Sequence, residues 1–197
     1  MHEDWQPIRI SEVAALFAGF DGPWWLAGGV AIELFVGAPF RSHGDIDVVI
    51  LRTDQSRLHD ALAGWELWAV DPPGALRPWP AGEVLPASVH DIWCRDRPDG
   101  PWRLQVMIDE SDGACWVSRR DPRIRRPLES LGHDADGVPY LAPEVQLFYK
   151  SRRPRPRDEL DFSMALPHLS PDQRHWLDEA LAMTDERHPW QERLDGT

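Results

Sequence analysis

The sequence predicts an α/β (α+β) chain: a mixed β-sheet flanked by helices, with a helical C-terminal part. Three observations predict it. Helical and extended hydrophobic patterns alternate through the first 71 residues, the middle reads as consecutive strands, and the last third turns helical. The division expected is a core over residues 1–140 and a helical part over 141–197 packed on it.

Residues 11–20 read as a helix with Ser11 as N-cap, and 24–27 (WWLA) as a short buried strand. Gly28 and Gly29 precede a second helix that Gly37 closes. Residues 45–51 (DIDVVIL) alternate and then become fully apolar, the pattern of a central strand. Thr53 can cap a helix over the following eleven residues (DQSRLHDALAG), and 65–71 reads as a strand. The proline- and glycine-rich stretch 72–87 predicts a loop. Strands are expected over 88–95, 102–109 and 114–120, as an antiparallel meander. Pro143 and Pro156 stand early in two helical stretches. Ser170 and Gln173 have capping-box spacing around Pro171.

Composition narrows the function. Of the 197 residues, 42% are hydrophobic and 27% charged, a globular profile. No apolar run approaches the roughly 18 residues of a membrane span, and the first ten residues lack the basic-then-apolar pattern of a signal peptide, so a cytoplasmic protein without a membrane partner is expected. Two cysteines, Cys94 and Cys115, support neither a disulfide framework nor a four-cysteine zinc site. His90 and Cys94 stand about 13 Å apart on an extended strand and do not converge on a metal. The net charge of −12 argues against a general nucleic-acid binder and suits a cationic substrate. Basic residues concentrate in two islands, RRDPRIRR (119–126) and RRPRPR (152–157), read as solvated surface first and as a phosphate or nucleic-acid contact second. The single lysine is Lys150. Trp24, Trp25, Trp93 and Trp102 sit in apolar strand contexts and are expected to pack.

The informative stretch runs from Trp25 to Ile50. Glycine between a strand and a helix lets backbone N–H groups approach a phosphate, which a helix N-terminus favours. Asp45 and Asp47 flank Ile46, so in an extended chain both carboxylates point to one face while Ile46 faces the core. Mg²⁺ takes one or two carboxylates together with substrate phosphates.

The combination of Gly28, Gly29, Ala31, Ile32, Arg41, His43, Asp45, Ile46 and Asp47 resembles the nucleotidyltransferase superfamily, and is most similar to its aminoglycoside and lincosamide branch. The later segment PYLAPEVQLFYKSRRPRPRDELDF resembles that family's helical segment, with Tyr149–Lys150 followed by Arg157, Asp158 and Asp161. Together the two cover about residues 10–165. The resemblance implies that Gly28 and Gly29 hold a triphosphate and that Asp45 and Asp47 ligate Mg²⁺. It also implies that Arg41 and His43 lie near the phosphates and that Lys150 reaches the triphosphate. The implied reaction moves a nucleoside monophosphate from a nucleoside triphosphate, ATP foremost, to a hydroxyl acceptor such as an aminoglycoside.

The pattern breaks at one point. Family members usually carry a third carboxylate on a later strand, and the residue expected there is Gln105, which cannot take a proton. Asp91 on the neighbouring strand is the catalytic candidate in its place, with Asp109, a substrate carboxylate or water as the other options. An active transferase, a nucleotide binder that has lost transfer, and an interaction scaffold therefore all stay open at this point.

Overall fold

In the computed structural model, residues 4–184 and 187–196 are described. The chain forms two compact units, and it leaves the first and returns to it. One unit holds the chain through Leu26 together with Ser42–Ser111, and the other holds Ala27–Arg41 and the chain from Asp112 onward.

The first unit opens with helix α1 (Ile10–Phe17), which buries Val13 and Phe17. Its start differs from expectation. Arg9 is the N-cap and Ser11 lies inside the helix, because the Glu12 carboxylate accepts from the Arg9 backbone N–H at 2.9 Å and from its Nε at 3.0 Å. Strand β1 (Trp24–Ala27) follows and hands its last residue to the second unit. Strand β2 (Asp47–Leu51) carries four successive buried residues, Val48 to Leu51, as a strand covered on both faces does. The helix expected after Thr53 is shorter: a 3₁₀ segment (Arg52–Arg57) runs into α3 (Leu58–Ala61).

Strand β3 (Glu66–Val70) comes next. The 72–87 stretch is not all loop. Leu76–Pro78 forms β4, paired antiparallel with Trp68–Val70. Arg77 fixes it through ion pairs to Asp71 at 2.9 Å and Glu83 at 2.7 Å, and the Gln55 side-chain Oε1 accepts from the Leu85 N–H at 2.8 Å. Strands β5 (Asp91–Arg95) and β6 (Leu104–Asp112) complete this unit's sheet in the order β4-β3-β5-β6-β2-β1. Of the expected meander, β5 and β6 pair antiparallel; β3 adds to the other side of β5, also antiparallel, and β2 and β6 run parallel. Trp25 is buried at 7% exposure, and Trp93 packs edge-on between Trp5 and Trp102.

In the second unit, α2 (Gly28–Val36) ends where Gly37 adopts φ 80°, its N–H bonded to the Glu33 carbonyl. Strands β7 (Cys115–Val117) and β8 (Arg125–Pro127) pair antiparallel, which converts part of the first basic island into a strand. A second antiparallel pair, β9 (Gly132–Ala135) and β10 (Val138–Leu141), turns through Asp136 at φ 53° and Gly137 at φ 83°. Helices α4 (Pro143–Lys150), α5 (Pro156–Ala165) and α6 (Pro171–Thr184) start at the expected prolines. The capping box at Ser170 and Gln173 is formed. A last helix, α7 (Pro189–Asp195), places Trp190 in a stacked contact with Phe162 at 4.2 Å. No helix among the described residues is long and apolar enough to cross a membrane.

Candidate active site

In the first unit the carboxylate pair is set by alternation. Ile46 and Val48 are buried, whereas Asp45 and Asp47 are half-exposed. The Gln105 N–H donates to the Ile46 carbonyl at 3.0 Å, and Asp47 is the ladder partner of Gln105. The backbone between the two carboxylates is therefore pinned to β6 at Ile46 and Asp47. Paired residues project to one side of a sheet, as do residues two apart on a strand. Asp47, Gln105, Trp93 and Asp91 thus share one face across β2, β6 and β5. On that face the Gln105 side-chain amide donates to Asp91 Oδ1 at 3.1 Å.

Asp109 follows a different course. Its parity matches Gln105, yet it pairs with Leu51 at the far end of β2 and is 1% exposed. It is not the start of a turn, since β6 continues to Asp112. Cys94 is buried beneath β5, and burial pushes its thiol pKa far up, so it is no nucleophile at neutral pH. Among the described residues no group of three or more His, Cys, Asp or Glu is arranged to hold a metal. Asp45 and Asp47 nevertheless match Mg²⁺ in chemistry. They offer hard oxygen donors, half-exposed, in the number that Mg²⁺ takes when phosphate and water fill its remaining positions. His43 is half-buried in the same unit, two residues before Asp45.

The second unit contains the glycine turn. Gly28 has φ 68°, a conformation that glycine adopts without strain. Its N–H donates to Gln146 Oε1 on α4 at 2.8 Å. The first donor of α2 is thus occupied by a side chain 118 positions later in the sequence. Both atoms are buried, so Gln146→Leu orphans the N–H and is expected to destabilise by about 1–3 kcal/mol in urea unfolding.

Lys150 is not a solvated helix residue. Its side chain is 7% exposed and its Nζ lies 2.8 Å from Asp161 and 3.3 Å from Asp158. Arg41 grips the same Asp161 with two bonds, Nε to Oδ1 at 2.7 Å and Nη2 to Oδ2 at 2.9 Å. The backbone N–H groups of Phe40 and Arg41 donate to Glu33 Oε1 at 2.9 and 3.0 Å, anchoring the Arg41 loop to α2. Two residues expected near phosphate, Arg41 and Lys150, therefore meet on one buried carboxylate. Arg157 of the later motif is exposed, and the guanidinium on Asp158 belongs to Arg155, whose Nε donates at 2.7 Å from the position three residues before it.

Burial pushes the carboxyl pKa of Asp158 upward, but the hydrogen bonds from Arg155 and the charge of Lys150 outweigh it and hold it down to about 2. Asp161 is lowered in the same way: burial raises it, and Arg41 and Lys150 outweigh the burial. A depressed folded-state pKa gives stability that is present above the unfolded value, 3.8, and is lost as pH falls through the folded one. Acid unfolding followed by circular dichroism should show the loss developing from just above pH 4 toward pH 2, and Asp158→Asn should flatten that segment.

Comparisons with known proteins bear on the fold and on the stretch that carries this site. The family model for aminoglycoside-2''-adenylyltransferase matches residues 9–67, the stretch that carries the glycine turn and the aspartate pair. ANT(2'')-Ia in complex with adenylyl-2''-tobramycin is similar at 14% identity, over 88% of this chain and 95% of that one, with a TM-score of 0.56. The chain has a nucleotidyltransferase fold. The solution structure of ANT(2'')-Ia shares this nucleotidyltransferase fold at 16% identity over 93% of each chain, with a TM-score of 0.59. The lincomycin-bound lincosamide adenylyltransferase LnuA matches at 14% identity over 84% of this chain and 99% of that one, with a TM-score of 0.55. None of the curated proteins matches in sequence. The resemblance to the aminoglycoside and lincosamide branch is therefore carried by the family model and by the shared nucleotidyltransferase fold.

Proposed function

We propose that this protein transfers a nucleoside monophosphate, AMP from ATP, to a hydroxyl of a small cationic acceptor of the aminoglycoside type. The observation that carries the proposal is the half-exposed Asp45–Asp47 pair, of which Asp47 pairs with β6 and shares a sheet face with Asp91. The adenylyltransferase model that matches this stretch supports ATP as the donor. The acidic balance of the chain, −12, supports a cationic acceptor. The reaction is assigned to the cytoplasm, where ATP is supplied.

The acceptor oxygen attacks the α-phosphorus, the bond from that phosphorus to the bridging oxygen of the β-phosphate breaks, and pyrophosphate leaves. Asp45 and Asp47 would hold Mg²⁺, which when bound neutralises phosphate charge and orients the attacked group. Asp91 takes the acceptor's proton, and the Gln105 amide holds its Oδ1 so that Oδ2 faces the hydroxyl. Gly29 and His43 bind phosphate oxygens in this reading, whereas Gly28, whose N–H is already held by Gln146, shapes the turn rather than donating to phosphate. Lys150 and Arg41, oriented by Asp161, supply positive charge to the triphosphate.

A second reading, a nucleotide binder without transfer, is favoured by Gln105, a neutral amide as the ladder partner of Asp47. Pyrophosphate release separates the two readings. Wild-type protein with Mg·ATP and a panel of aminoglycosides and lincosamides should release pyrophosphate with at least one acceptor. Binding of Mg·ATP with no release across the panel selects the second reading.

A further inference from the structure

The tryptophans of the first unit do more than fill space. The ladder sets Asp47, Gln105, Trp93 and Trp68 in one row across β2, β6, β5 and β3. Asp91 and Met107, a ladder pair, stand two residues further along on the same face. All six residues are half-exposed, whereas their neighbours Ile92, Cys94, Leu104 and Val106 are buried on the opposite face. Two more tryptophans join the row through ring contacts. Trp5 lies 5.0 Å from Trp93, edge-on, and Trp102 lies 5.5 Å from Trp93 and 6.3 Å from Trp68. Arg95 closes the far end of this wall. Its guanidinium lies 5.3 Å from the Trp68 ring and 5.0 Å from the Trp102 ring, and Glu66 holds it at 2.6 Å. Trp93 stands between that end and the carboxylates, about 7 Å from Asp91 along the strand and about 10 Å from Asp47 across two strand spacings.

We propose that Trp93 selects the acceptor, and that the acceptor it selects is a glycoside: the C–H face of a saturated sugar ring lies on the indole while a hydroxyl of that ring or the next reaches Asp91. An indole offers a large, flat, mostly apolar surface that loses little conformational freedom on binding. Small-molecule sites join such a surface to a few polar groups that fix orientation. Here those groups are Asp91 and Gln105, already bonded to each other beside Trp93. Trp5 and Trp102, edge-on to Trp93, brace its ring, so the surface is ordered before the ligand arrives. Charge alone is a poorer match. A flexible polyamine gains from Asp47 and Asp91 but meets Arg95 beyond Trp93, whereas a sugar ring gains from the indole as well. The proposal deepens the transferase reading by naming its acceptor chemistry, and rests on it for the role of Asp91.

The test is calorimetric titration of the full chain with two glycosides, tobramycin and lincomycin, and with spermine, a polycation without a ring. The wild type should bind at least one glycoside. Trp93→Leu, which keeps an apolar side chain but removes the ring, should weaken that glycoside by about tenfold, and Trp93→Phe should recover most of the loss. Neither variant should change the affinity for spermine or for Mg·ATP. A wild-type readout covers the case in which Trp93→Leu does not fold: bound glycoside should protect tryptophan emission from acrylamide quenching, and spermine should not. The proposal is overturned by absence of binding for both glycosides, by unchanged glycoside affinity in Trp93→Leu, by a phenylalanine variant as weak as the leucine one, or by bound glycoside that gives no protection. An equal loss for Mg·ATP assigns the indole to the nucleotide base and overturns it too. Pyrophosphate release keeps the two readings apart. Glycoside binding through Trp93 without release leaves the tryptophan site standing and removes transfer. Release with an acceptor whose KM is unchanged in Trp93→Leu leaves transfer standing and removes the tryptophan site.

Discussion

Replacing Asp47 by Asn is expected to cut nucleotidyl transfer by about 10²–10³-fold, the range lost when one group that stabilises transition-state charge is removed. The change keeps the shape of the side chain and the β2–β6 ladder, because Asp47 meets Gln105 through the backbone. It removes a negative oxygen donor from the half-exposed face where Mg²⁺ would sit. Asp45→Asn should act in the same direction. Steady-state kinetics with varied Mg²⁺ distinguishes a lost ligand from a lost fold. A lost ligand raises the metal concentration needed for half-maximal rate while the thermal midpoint stays put. A collapse of thermal stability in Asp47→Asn, with metal dependence unchanged, contradicts this role.

Replacing Asp161 by Ala should destabilise the protein by about 3–5 kcal/mol, the cost of breaking a buried ion pair from one side. Asp161 is fully buried and accepts two bonds from Arg41 and one from Lys150, whose side chains are 14% and 7% exposed. Alanine leaves both cations with most of their hydration gone and one neutralising carboxylate fewer. Asp158 still faces Lys150 at 3.3 Å, so Arg41 bears the larger share of the loss. Denaturant unfolding measures it. Asp161→Asn should fall between alanine and the wild type, since the amide oxygen still accepts one bond. A loss below about 1 kcal/mol for Asp161→Ala would place this triad with ordinary surface pairs.

The site is legible in the sequence where it depends on periodicity. Alternation of Asp45, Ile46 and Asp47 is enough to put two carboxylates on one face and the isoleucine in the core. Gly28 and Gly37 announce the start and end of α2 through conformations that other residues avoid. The Asp136–Gly137 turn carries the same kind of signal, a dipeptide suited to positive φ at both positions, and marks the β9–β10 hairpin that the strand pattern alone does not reveal. What is not legible depends on long-range partners. Nothing local in Gln146 tells that it caps Gly28, 118 residues away. The pairing of Arg155 with Asp158 follows helix-start geometry, in which N-cap and third helical residue meet. Strand β4 exists because Arg77 is tied to Asp71 and Glu83, whereas its proline-rich composition favours a loop. The two compact units cannot be read from sequence order, because the chain crosses between them at Leu26, Arg41 and Ser111.

The central claim is that Asp45 and Asp47 form a Mg²⁺-dependent nucleotide site. Calorimetric titration of the protein with each of the four nucleoside triphosphates, with and without Mg²⁺, tests it most directly. The account predicts binding of ATP that requires Mg²⁺ and disappears in Asp45→Asn/Asp47→Asn. Absence of binding for all four triphosphates, or an ATP affinity that the double variant leaves unchanged, contradicts it.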